Sequence, residues 1–138
     1  MRKVFVLGII GLVFTILLTA CGAKTQGDST TLDIEMSEFM FTPASATIPA
    51  GQQITLKLKN SGSIQHDFII LKKGAVVTGS FDHNKQMDDM FFHAMLDAGK
   101  ANTFTFTAPA EAGEYQIVCG IAGHFQAGMI GKLMVVAP

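Results

Sequence analysis

Tyr115-Gln-Ile-Val-Cys119-Gly-Ile-Ala-Gly-His124-Phe-Gln-Ala-Gly-Met129-Ile-Gly-Lys132-Leu-Met-Val-Val136 reads as a strand, a glycine-rich loop and a second strand. Tyr115 to Val118 and Lys132 to Val136 are rich in the aromatic and β-branched residues that suit a pleated, half-buried backbone. Between them lie Gly120, Gly123 and Gly128, with Gly131 just after, and glycine permits a tight backbone path. Cys119, His124 and Met129, all with metal-ligating side chains, therefore share one short loop. A fourth donor has to come from elsewhere. His66 fits, just after the Asn60-Ser-Gly-Ser63 turn and at the start of the apolar run Phe68 to Leu71.

The same period of two extends through the rest of the chain. Leu32, Ile34 and Met36 alternate with Asp33, Glu35 and Ser37; Ile54, Leu56 and Leu58 alternate with Thr55, Lys57 and Lys59; Phe104 and Phe106 alternate with threonines. Such alternation predicts strands with one buried face. Pro49-Ala-Gly51, Asn60-Ser-Gly62, Pro109 and Glu111-Ala-Gly113 are turn signals between them. The fold class expected is all-β: an antiparallel sandwich spanning residues 32–138, a size that suits a single core. One insertion, about 73–100, breaks the pattern. Met87, Met90, Phe91 and Met95 sit near helical spacing there, which predicts a loop carrying a short helix.

The first twenty residues do not belong to that core. Arg2 and Lys3 precede an apolar run from Val4 to Leu18, too short for a transmembrane helix and typical of a secretory signal. The run ends in Leu18-Thr19-Ala20-Cys21, which resembles the lipobox of bacterial lipoproteins. The resemblance implies that Cys21 is lipidated and becomes the N-terminus, followed by a flexible linker through residue 31. The protein is then expected outside the cytoplasm, anchored to a membrane. The formal charge of the whole chain is −1, and −3 without residues 1–20. No basic patch stands out, so nucleic acid is not an expected partner. With Cys21 acylated, Cys119 is a lone thiol in an oxidising compartment. Metal ligation is the usual use for such a thiol.

The donor set has a definite chemistry. A thiolate and two imidazoles suit copper in both oxidation states, and a weak axial thioether favours Cu(I) without excluding Cu(II). His66, Cys119, His124 and Met129 are therefore read as ligands of one type 1 copper ion. Cys-x4-His-x4-Met with an upstream His resembles the pattern of the cupredoxins, most closely the auracyanin and azurin-like branch. Ile48-Pro-Ala-Gly-Gln-Gln-Ile-Thr-Leu56 and Phe104-Thr-Phe-Thr-Ala-Pro109 also look like cupredoxin strands. The resemblance implies a Greek-key sandwich and one-electron transfer rather than catalysis. The implied partners are membrane redox complexes: a cytochrome c, a quinol-oxidising complex, a reaction centre or a terminal oxidase. A monomer is the default for such a carrier.

Two details depart from the family or extend it. Many members carry Asn after the first His, where its side chain braces the Cys loop; this chain has Asp67. In the family the edge of the C-terminal His reaches the surface inside an apolar patch, which here implies His124 and Phe125 as the electron port. His83, His93, Met87, Met90 and Met95 have the residue types of a second copper site. Phe81, Phe91 and Phe92 in the same stretch argue instead that it packs over the sandwich. Copper delivery to another protein is the competing function. Multicopper and dinuclear copper enzymes require further His-rich motifs or a second nearby Cys, and the chain has four His in all.

Overall fold

The computed structural model describes residues 29–83 and 85–138. The expected signal segment, the lipidation site Cys21 and most of the linker lie outside the described residues. The described chain forms nine strands: β1 (Thr31–Ser37), β2 (Met40–Thr42), β3 (Ser45–Pro49), β4 (Gln53–Asn60), β5 (His66–Leu71), β6 (Met90–Leu96), β7 (Ala101–Thr107), β8 (Gly113–Val118) and β9 (Ile130–Val136). They build two sheets, one in the order β2-β1-β4-β7 and one in the order β3-β9-β8-β5-β6.

The sandwich is the one the alternation predicts. Leu32, Ile34 and Met36 of β1 and Ile54, Leu56 and Leu58 of β4 face Phe68, Ile70, Ile117, Leu133 and Val135 of the opposite sheet, all buried. The pairing is mixed rather than uniformly antiparallel, because β1 runs parallel to β4 and β3 parallel to β9. The chain crosses between sheets after β2 and again after β3, so each returning strand lies beside a neighbour of the same direction. A period of two reports burial, not the direction of the adjacent strand.

The insertion holds the expected loop and a short helix, but its second half is a strand. Only Met87–Asp89 form a single 3₁₀ turn, and Met90–Leu96 is a strand paired antiparallel with β5. Phe92, Ala94 and Leu96 turn toward the core, while Phe91, His93 and Met95 turn outward. Apolar residues on both faces hid the alternation. The loop before Met87 packs over the sandwich through Ala75, Val77 and Phe81. Val77 and Phe81 cover Ile69, Leu71 and Val118 on the outer face of the second sheet, which is why β5 is buried on both sides. Met87, Phe91 and Met95 are exposed and take no part in that packing.

Candidate metal centre

β5, β8 and β9 are neighbours in one sheet, so the start of β5, the end of β8 and the start of β9 meet at one pole. His66 opens β5, Cys119 follows β8 and Met129 precedes β9. The connecting loop is wound tightly. The Ala127 N–H donates to the Gly123 carbonyl, the Gly128 N–H to the Phe125 carbonyl and the Met129 N–H to the His124 carbonyl, each at 3.0 Å. Gly123 (φ 87°) and Gly128 (φ 100°) adopt left-handed backbone that side-chain-bearing residues avoid. The Cys119 N–H donates to the Met129 carbonyl at 3.3 Å and closes the loop's two ends.

The four sequence-predicted ligands are all buried. The Nδ1 atoms of His66 and His124 stand 3.1 Å apart, and Cys119 Sγ lies 3.3 Å from His124 Nδ1 and 4.0 Å from His66 Nδ1. A first-row metal with bonds of about 2.0 Å to nitrogen and about 2.3 Å to sulfur spans donors at such separations. Met129 is fully buried beside Cys119 in the same cluster. The second imidazole nitrogen of His66, Nε2, is buried without a hydrogen-bond partner among the described residues. The donor set and its spacing fit a single metal ion bound through Nδ1.

Burial sets the protonation chemistry. It holds the His66 and His124 imidazoles below their ordinary 6.5, helped at His66 by the neighbouring His124 and opposed by Glu38 and Asp67. Both rings therefore offer neutral lone pairs at neutral pH. Burial also pushes the Cys119 thiol up, against the backbone N–H groups of Asp67 and Ile121. A thiolate in that setting depends on the metal that takes up its charge, and metal binding releases the proton.

The family of cupredoxin-like domains matches residues 8–135. This chain is a member of that family. The copper-resistant cuproprotein CopI of Rubrivivax gelatinosus is 31% identical over 111 residues, which cover 76% of this chain and 66% of CopI. Auracyanin-A of Chloroflexus aurantiacus is 32% identical over 112 residues, covering 71% of this chain and 68% of that protein. The crystal structure of reduced auracyanin from the photosynthetic bacterium Roseiflexus castenholzii superposes with a TM-score of 0.65 at 30% identity, covering 80% of this chain and 99% of that one. The cupredoxin's cofactor is one copper ion, and His66, Cys119, His124 and Met129 are arranged as a type 1 site.

One expectation around the site is corrected. Phe125 is 7% exposed and packs into the outer cluster with Ile69, Val77 and Phe81, so it offers no surface patch. The loop's winding that turns His124 toward His66 and Cys119 sends the next side chain into the outer cluster. Asp67, standing where many members carry Asn, accepts no hydrogen bond from the Cys loop at its carboxylate among the described residues. Its backbone N–H faces Cys119 Sγ at 3.4 Å, while the carboxylate turns to His93 and His83.

The sequence reading also missed two residues. Phe39, 42% exposed in the turn between β1 and β2, sets its ring edge-on to His124 with centroids 5.2 Å apart. Its φ of 60° is an outlier for a bulky residue. No local signal marks it, because its partner lies at the far end of the chain. Asn60, noted only as a turn residue, is fully buried; its amide donates to the Ile64 and Leu96 carbonyls and its oxygen accepts from the Gly62 N–H. It locks the turn that delivers His66.

Proposed function

We propose that this cupredoxin is an extracytoplasmic one-electron carrier, tethered by lipidated Cys21, that moves electrons between membrane redox complexes. The observation that carries this reading is the buried His66, Cys119 and His124 donor triangle, with Met129 buried at the other end of the same loop. Bound copper supplies the chemistry by cycling between Cu(I) and Cu(II). The chain supplies a rigid frame: donors fixed by the β8–β9 loop and by the locked turn before β5 change little between the two charge states. Phe39 and His124 are the electron port of this reading. Exposed Ile64 sits in the turn after Asn60, beside the same pole, and adds apolar area suited to weak, fast docking. The donor and acceptor belong to the class of a cytochrome c, a quinol-oxidising complex, a reaction centre or a terminal oxidase.

A second reading is copper handling, favoured by the similarity to a protein named for copper resistance. The closed, fully buried thiolate weighs against rapid copper exchange. Loading with Cu(II) and recording visible and EPR spectra tests the lead reading. An intense thiolate-to-copper band with narrow copper hyperfine splitting is expected, and Cys119→Ser should abolish both. A pale, ordinary Cu(II) spectrum, or colour that survives Cys119→Ser, overturns it.

A further inference from the structure

Asp67 lies between a copper ligand and a core residue. His66 and Phe68 turn into the sandwich, so Asp67 turns outward on β5, and its side chain is only 3% exposed. A buried carboxylate is costly unless it is paired. No lysine or arginine reaches it among the described residues. Its side-chain partners are two imidazoles: His93 Nε2 lies 3.2 Å from Oδ1, and His83 Nδ1 lies 3.8 Å from Oδ2. The second separation is too long for a hydrogen bond but ordinary for two ligands of one ion. The two rings meet edge to face with centroids 4.6 Å apart, and the three donor atoms lie within 4.8 Å of one another.

The surroundings keep this constellation open. A side chain on Gly120 would put its Cβ 2.8 Å from Asp67 Oδ2, so glycine there preserves the space beside the carboxylate. Both imidazoles are 32% exposed, which leaves a path from solvent. Met95 is the register partner of Asp67 on β6 and sits outward on the same face. Directly opposed residues on neighbouring strands have Cβ atoms about 5 Å apart, so Met95 neighbours Asp67 on that face.

We propose that Asp67, His83 and His93 form a second metal site, separate from the type 1 centre, that takes a borderline divalent ion, Cu(II) or Zn(II). One carboxylate and two imidazoles match that class, whereas Ca(II) and Mg(II) require oxygen donors. Water completes the coordination from the open side. The two sites adjoin: Asp67 follows His66 in the chain, and its backbone N–H faces Cys119 Sγ.

The test uses the untagged protein carrying one equivalent of copper, titrated with Zn(II) alone. Calorimetry and metal analysis report uptake, and the blue band reports the first site. One further equivalent of Zn(II) is expected with the blue band unchanged. His83→Gln and His93→Gln should each weaken that uptake by at least about tenfold, and the double variant should lose it while keeping its colour. Absence of a further equivalent, undiminished uptake by the double variant, or uptake matched by bleaching would overturn the proposal. The comparison with the double variant does not depend on the first copper being blue, so the two readings fail separately.

Discussion

Phe39 is held in a left-handed backbone conformation that costs about 1–3 kcal/mol, and strain of that kind persists where the surrounding structure imposes it. Its ring covers the edge of His124, the ligand nearest the pole's surface. Phe39→Gly removes the ring and relieves the backbone, and glycine's extra unfolded-state freedom offsets part of that relief, so stability should change by less than about 1 kcal/mol. Electron self-exchange between oxidised and reduced copies, measured by NMR line broadening, should fall by roughly tenfold, the loss of about 1.4 kcal/mol of encounter energy. The visible spectrum should stay the same. An unchanged exchange rate would remove Phe39 from the electron port.

The turn between β1 and β2 is tied to the turn before β5. Glu38 accepts hydrogen bonds from the Ser63 N–H and hydroxyl, and these hold its carboxyl at about 2, down from an ordinary 4.5. A carboxyl lowered in the folded state stabilises it above its unfolded value and loses that contribution as the pH falls through its folded value. The brace is therefore complete above pH 4.5 and fades toward pH 2. Glu38 is exposed, so the effect is small. Denaturant midpoints of the parent and Glu38→Gln should differ by a constant amount above pH 4.5 and converge below it. A difference that holds to pH 2 would mean that Glu38 is unpaired in the folded protein. The same two turns carry Phe39 and deliver His66, so this brace sets port and ligand relative to each other.

Copper joins parts of the molecule that are remote along the chain: His66 and Cys119 are 53 residues apart. An ion that binds the folded state alone stabilises it by about 2.7 kcal/mol at a free concentration 100 times its Kd. For a domain of this size each kcal/mol raises Tm by about 4–8 °C. The loaded protein should therefore melt at least about 10 °C above the metal-free protein in anaerobic calorimetry. Equal melting temperatures would mean that the donors do not share an ion.

The ligand loop was legible in the sequence because Cys119, His124 and Met129 are close along the chain and the glycines between them prescribe its path. The strands of the core were legible because alternation of Leu32, Ile34 and Met36, or of Ile54, Leu56 and Leu58, is a local property. β6 was not, since Phe91 and Met95 put apolar residues on its solvent face as well. The parallel pairs, the burial of Phe125, the contact of Phe39 with His124 and the gathering of His83 and His93 on Asp67 were also beyond it. Each of these depends on strand order and on where the chain crosses between sheets. Local spacing dictates which side chains share a face or a loop; long-range packing dictates which faces and loops meet.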